Sequence, residues 1–340
     1  MAESAKPFSK LNELISRGSD IFVAASVLMI IVLLVIRVDQ TVMDWLIAIN
    51  ISIAALVLLT VLYIPDPRRV PSFPTLLLLT TLFRLGLNVS TTRLILLEAD
   101  AGEIIDTFGQ FVVAGNFVVG AVVFLVLVVI QFVVIAQGAE RVATVSARFT
   151  LDSLPGKQSV IEQDMAAGRI SPERGQRERA ALDRESKLYG AMDGAMKFVK
   201  GDAIAGIIIS LVNVVGGLVV GVLQQGMDVG EAAQVYTLLT VGDGLVSQIP
   251  ALLLSVSAGL VVTRVAAEMD TDKPGSTNIG RDIIEQILSQ KRALLLLAVL
   301  LLMVTASSVL FNTGFPIVPF LALTGIAAAL YFVRRQIPDE

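Results

Sequence analysis

Cysteine and histidine are both absent from the 340 residues. Without cysteine there is no disulfide framework and no thiolate chemistry. Without histidine, a zinc site of the usual kind has no basis, so no metal ligand set is assigned. Any proton exchange near neutral pH then falls to an Asp, Glu or Lys shifted by its surroundings. Charge is scarce as well: Asp, Glu, Lys and Arg make up 16 %, against roughly 25 % in a soluble domain. No G-x-x-x-x-G-K-[ST] loop occurs, which argues against ATP hydrolysis by this chain, and no cofactor motif is present. What fills the sequence is apolar: 55 % of it is hydrophobic, with a mean hydropathy of +0.78. A water-soluble fold of this size has no interior large enough to hide that surface.

The expected fold is therefore all-α and polytopic. About 20 apolar residues are needed to cross the hydrocarbon core of a bilayer. Eight stretches come close: roughly 20–36, 42–64, 73–97, 111–136, 203–223, 237–262, 293–311 and 315–333. The last two are separated by Asn312–Gly314, which predicts a tight helical hairpin. Lys6, Lys10 and Arg17 precede the first run, but it reaches Arg37 without a small-residue cleavage site, so it reads as a retained span rather than a signal peptide.

The basic residues orient these spans. Three lie in the N-terminal tail, Arg68 and Arg69 in one loop, eleven in 137–202, five in 263–292, and Arg334 and Arg335 at the end. The alternate loops hold Arg37 alone, and 98–110 carries Glu98, Asp100, Glu103 and Asp106 instead. Positive loops stay inside, so both termini are expected in the cytoplasm. Trp45, Tyr63, Tyr236 and Tyr331 fall near span ends, where amphipathic rings favour the interface.

Four divisions follow: 1–136 with four spans, a polar helical insert over 137–202, four more spans over 203–333, and 334–340 as the start of a linker. In the insert the eleven Lys/Arg are balanced by ten Asp/Glu, so it is no basic patch for nucleic acid. Gly156–Ala167 predicts a short helix closed by Gly168. Ser171 and Pro172 then look like an N-cap and first helical residue, opening a helix toward Val199. A docked helical hairpin and a solvated loop both fit the segment.

Ionisable residues inside spans are costly and point to function. Arg84 sits mid-way in the third span and reads as a structural charge. Arg93 lies nearer its far end, within reach of the interface. Asp243 lies in Thr240-Val-Gly-Asp-Gly-Leu, inside the sixth span. Two roles fit it: a partner for Arg84 or Arg93, or a site of ion or proton movement in a hydrated cavity opened by Gly242, Gly244 and Pro250. Lys197, Lys200 and Asp202 stand where the fifth span begins, as anchors or as working charges. Glu98 and Asp44 read as solvated span ends. Gly217 and Gly221 form a G-x-x-x-G suited to close helix packing, within a subunit or between subunits.

Several stretches taken together are distinctive. They are Phe73-Pro-Thr with Leu82-Phe-Arg-Leu-Gly-Leu-Asn; Ala147-Arg-Phe-Thr-Leu-Asp-Ser-Leu-Pro-Gly-Lys-Gln; Tyr189-Gly-Ala-Met-Asp-Gly-Ala-Met-Lys-Phe-Val-Lys-Gly-Asp-Ala-Ile-Ala-Gly; and Tyr236-Thr-Leu-Leu-Thr-Val-Gly-Asp-Gly-Leu-Val-Ser-Gln-Ile-Pro-Ala. The sequence closely resembles the flagellar/hypersensitivity/invasion export-pore family, densely over 20–265 and more weakly beyond. The run from Leu94 to Ile105, with a short loop to Phe108, resembles the virulence branch more than the flagellar one.

The resemblance implies the export gate of a type III secretion system in the bacterial inner membrane. It implies a nonameric ring of identical subunits, beside other membrane subunits of the export apparatus. It also implies a large C-terminal cytoplasmic domain that receives secreted proteins and their chaperones. This sequence stops at Glu340, so it is expected to be a membrane-domain fragment. Coupling of the proton-motive force to export would fall, by motif position, on Arg93, Arg141, Arg148, Asp152, Lys197, Asp202 and Asp243. Asp202 and Asp243 are the expected proton carriers, Lys197 is placed to bias Asp202, and Arg148 with Asp152 could pair on one helix face or form a hinge of the insert. The expectation is a transporter, not an enzyme. A purely structural ring is the rival reading, and a small-solute transporter is disfavoured because the halves share no motifs.

Overall fold

The computed structural model describes residues 21, 23–64, 70–113, 115–267, 290–311 and 316–335, and these are helical almost throughout. Among the described residues, six helices are long and apolar enough to cross a membrane, and two shorter apolar helices join them. The polytopic all-α architecture thus holds. In chain order the helices are α1 (Val23–Val35), α2 (Gln40–Tyr63), α3 (Phe73–Glu98), α4 (Glu103–Val113) and α5 (Phe117–Ile130). A π-helical segment, Gln131–Ala136, follows. Then come α6 (Gln137–Ala166), α7 (Pro172–Leu223), α8 (Val229–Ala267), α9 (Lys291–Phe311) and α10 (Ile317–Arg335).

Three local differences from the sequence reading have clear causes. The fourth span starts at Phe117, not 111. Residues 103–113 form a separate short helix, with Glu103 and Asp106 in its first turn, where the helix dipole favours carboxylates. Asn116 ends the connection and caps α5, its side-chain oxygen accepting from the Val118 and Val119 amides at 3.1 and 3.2 Å.

The second difference lies in the polar insert. Its first helix does not begin at Gly156. It runs on without a break from the fourth span, and Pro155 lies within it. The turn at Gly168 is as expected; its φ of +68° is open to glycine at little cost. Ser171 then caps α7, accepting from the Arg174 amide at 3.3 Å. However, α7 does not stop near Val199. It continues as one 52-residue helix into the fifth span. The two halves of the hairpin are extensions of membrane helices, and they pack through Ala143, Ala147, Leu188, Met192, Ala195 and Met196.

Third, Gly242-Asp243-Gly244 does not break α8, and Pro250 also lies inside it. The glycines serve close approach instead. A methyl group on Gly242 would collide with the Ile105 carbonyl of α4, and one on Gly244 with the Phe124 ring of α5. Tyr236 is likewise no interfacial ring. It is fully buried, seated against Gly217 and Gly221 of α7. That places the G-x-x-x-G contact within this chain.

Burial is distributed as a membrane demands. The most apolar helix, α5, exposes most of its surface, while α3 and α8, which carry the polar side chains, supply the interior. One core cluster joins the hairpin to α2, α3 and α8 at one end. A second, around Met43, Leu94, Ile105 and Tyr236, fills the other end. The pair α9 and α10 forms most of a second compact unit, its helices packed on each other. The basic residues of the N-terminal tail, Arg68 and Arg69, most of 263–292, the turn at Asn312–Gly314 and the 336–340 tail lie outside the described residues.

Candidate functional site

Three helices each turn one polar stripe toward the middle of the bundle. On α3 it is Arg84, Asn88 and Thr91, spaced i, i+4, i+7. On α7 it is Asp202, Ser210 and Asn213, with Gly206 between. On α8 it is Thr240, Asp243, Ser247 and Gln248. Those spacings keep each set on one helix face. Arg84, Asn88, Thr91, Asp202, Asn213, Thr240 and Asp243 are all buried.

The two intramembrane charges of α3 and α7 find each other. Arg84 Nη2 donates to Asp202 Oδ2 in an ion pair, with both side chains almost wholly out of solvent. Removing two charges from water costs several kcal/mol per ion, offset only by close pairing and further hydrogen bonds. Those further bonds are incomplete: among the described residues, Arg84 Nη1 and Asp202 Oδ1 have no partner. Both residues line a small cavity of mixed character, shared with Asn88, Gln131, Ser247 and Gln248 and with apolar side chains such as Val128 and Phe132. The partner that the sequence offered to Arg84, Asp243, is therefore replaced by Asp202.

Asp243 sits farther along the stripe with neutral company. Asn213 Nδ2 donates to Asp243 Oδ2 at 3.2 Å, and the neutral Thr91 hydroxyl, which donates to the Asn88 carbonyl at 3.1 Å, lies near it. The Asn213 side chain is fully buried. Gly242 and Gly244 bring α4 and α5 onto α8 on either side, so Asp243 is sealed rather than opened by its glycines. A carboxylate with neutral partners can exchange a proton without stranding a counter-ion. For Asp202, by contrast, protonation would leave the Arg84 guanidinium without its counter-ion.

The remaining expected charges do not join this centre. Arg93 donates to the Leu34 and Val35 carbonyls at 3.0 and 3.1 Å, closing the C-terminal end of α1; a cation there complements the helix dipole. Lys197 pairs with Asp193 at 2.7 Å rather than biasing Asp202, and Thr144 also donates to Asp193. Lys197 and then Thr144 hold the Asp193 carboxyl below its ordinary value, and Asp193 raises Lys197. Lys200 pairs with Glu140 at 2.8 Å. Arg141, Arg148 and Asp152 are exposed on α6, and Arg148 and Asp152 form no ion pair among the described residues. Arg141 borders a second polar cavity of about 260 Å³ with Gln137, Glu140 and Lys200. No group of three or more metal-binding side chains occurs among the described residues.

The family model for FHIPEP matches residues 30–339. The chain belongs to the FHIPEP family. It is 50 % identical over 311 residues to the "Low calcium response locus protein D" of Yersinia pestis, covering 91 % of this chain and 42 % of that protein. It is 47 % identical over 318 residues to the "Harpin secretion protein HrpI" of Erwinia amylovora, covering 94 % and 44 %. It is 48 % identical over 315 residues to the "Invasion protein InvA" of Salmonella typhimurium, covering 93 % and 44 %. The chain thus spans less than half the length of these relatives. No solved structure matches it.

Within this FHIPEP chain, the residues that sequence reasoning passed over are neutral: Asn88, Thr91, Asn213 and Gln131. A signal for them existed. Counting in helical steps from Arg84 reaches Asn88 and Thr91, and from Asp202 reaches Ser210 and Asn213. Two acids near the opposite end, expected as solvated span ends, are half-buried and also hold neighbouring segments. Asp44 accepts from the Glu103 and Ile104 amides, both at 3.1 Å, and so caps α4 from another helix. Glu98 pairs with Arg37 and accepts from Gln40 at 3.0 Å.

Proposed function

We propose that this chain is the membrane part of a type III secretion export gate that uses the proton-motive force to drive unfolded proteins across the bacterial inner membrane. The observation that carries the reading is the buried polar centre: Arg84 with Asp202, and Asp243 with Asn213, in a bundle where apolar residues would cost less. The names of the relatives, given to secretion, harpin secretion and invasion, support the export role and the virulence branch. Its working form is a ring of identical subunits, nonameric by the family resemblance, beside other membrane subunits of the apparatus. Secreted proteins and chaperones meet the part of the longer relatives that this chain does not span. The charge distribution supports placing both termini and the α6–α7 hairpin in the cytoplasm. The role is that of a transporter rather than an enzyme.

Asp243 is the proton-exchanging group in this reading, and the Arg84–Asp202 pair is the charge balance beside it. The test is secretion by the full-length protein carrying Asp243→Asn, with ring assembly followed by native gel. Asn keeps size and hydrogen bonding but holds no exchangeable charge. Assembled rings with secretion reduced at least tenfold support coupling. Assembled rings with normal secretion favour the rival reading, a scaffold whose buried pair merely locks α3 to α7.

A further inference from the structure

The Arg84–Asp202 pair leaves one donor, Nη1, and one acceptor, Oδ1, unsatisfied among the described residues, in a buried setting where unpaired polar atoms are costly. Both residues line the same cavity. A single small group that accepts from Nη1 and donates to Oδ1 would satisfy both. A metal cation fails on the Arg84 side and an anion on the Asp202 side, whereas water meets both demands. The space is the right size: about 30 Å³ is open to water-sized occupants, and roughly 10–15 Å³ suffices for one molecule with two to four polar partners. Asn88, Gln131, Ser247 and Gln248 also line the cavity and carry further polar atoms.

Two further features say from where water arrives. Gln131 opens the π-helical segment, the one irregular stretch of the long Phe117–Ala166 helix, and such segments often sit at functional sites. About two to three helical turns beyond it, Gln137, Glu140 and Arg141 of α6 border the larger polar cavity with Lys200 of α7. Lys200 is only two residues from Asp202. The two cavities thus follow each other along the same pair of helices, toward the hairpin. In the other direction the lining stops at Gly244 and does not include Asp243, Asn213 or Thr91.

We infer that the inner cavity is an internal water site, reached from the hairpin side through the Gln137–Lys200 cavity, that hydrates the Arg84–Asp202 pair and ends one residue short of Asp243. The inference deepens the export-gate reading, and its sidedness rests on the orientation proposed there. It makes Asp202 the carboxylate in contact with cytoplasmic water and Asp243 the one beyond it.

The lack of cysteine in residues 1–340 makes the test clean. The full-length protein, with any cysteines outside this region replaced by serine, is given Ser247→Cys in the cavity or Val246→Cys beside it. Val246 is buried in an apolar cluster. Silver ion, close to water in size, is applied to inverted and right-side-out membrane vesicles, and unreacted thiol is then counted with a maleimide after denaturation. The expected result is at least tenfold faster blocking of Ser247→Cys than of Val246→Cys, and faster blocking in inverted vesicles. Ser210→Cys, on α7 in the same cavity, gives the same reading if the first variant does not assemble. Equal rates for cavity and control positions overturn the water site. Faster blocking from the outer face overturns its route. Neither result depends on secretion, so a dry cavity leaves the Asp243→Asn test standing, and normal secretion by that variant leaves the water site standing.

Discussion

Asp202 and Asp243 are both buried carboxylates in the polar centre of one helix bundle, yet they are held in opposite ways. Asp202 faces a full positive charge and a cavity. Asp243 faces an amide and a hydroxyl and is closed in by two helices drawn close over glycines. The first arrangement is stable only while both charges persist. The second tolerates either state of its carboxyl. Burial alone therefore says little about how a carboxylate is held; the charge of the nearest partner says more.

The comparison is most exposed to substitution of the acids themselves. Asp202→Asn strands Arg84 without a counter-ion and should lower stability by about 3–5 kcal/mol. Asp243→Asn keeps a hydrogen-bonding group opposite Asn213 and should cost about 1 kcal/mol or less. Unfolding in detergent measures both, and equal losses would erase the distinction. Adding Arg84→Gln to Asp202→Asn should recover part of the first loss, because no bare charge remains.

The glycines beside each acid sharpen the contrast. Gly242→Ala would drive a methyl group into the Ile105 backbone carbonyl, which cannot rotate away; about 1–3 kcal/mol should be lost. Gly206→Ala, four residues after Asp202, meets nothing within 4 Å. It should be neutral, or stabilising by up to about 1 kcal/mol through helix propensity. Thermal unfolding of the two variants reports the difference.

A smaller effect is expected at Arg93, a cation whose partners are carbonyls rather than a carboxylate. Arg93→Ala should cost about 0.5–2 kcal/mol, and hydrogen exchange should rise at the C-terminal end of α1 before it rises elsewhere. This is well below the cost of removing Arg84.

The smallest effect belongs to the hairpin. Asp193 is held below its ordinary carboxylate value by Lys197 and Thr144. Its contribution is therefore fully present above that ordinary value, near pH 4. It fades as pH falls through the lowered value in the folded protein. Melting temperature followed from pH 7 downward should hold steady and then decline below about pH 4, and Asp193→Asn should remove that part of the decline.

Much of the fold was legible because apolar length is a direct requirement of the bilayer. The spans, the acidic character of the 98–110 region and the caps at Ser171 and Gly168 all follow from local chemistry. What was not legible depended on contacts between distant segments. Gly242 and Gly244 resemble helix breakers until α4 and α5 are seen pressing on them. Tyr236 resembles an interfacial ring until Gly217 and Gly221 are seen receiving it. Lys197 lies five residues from Asp202 in sequence, but helix geometry gives it Asp193, one turn back. At the centre, the charges were visible as costly exceptions, whereas their neutral partners were ordinary residues whose meaning came only from facing them.

The most direct test of the central claim is the dependence of secretion on the proton gradient, titrated with an uncoupler in cells carrying full-length wild-type protein or Asp243→Asn at equal ring assembly. The account predicts a steep rise of secretion with the gradient for the wild type and a nearly flat, low response for Asp243→Asn. The same steep response from both proteins would contradict it.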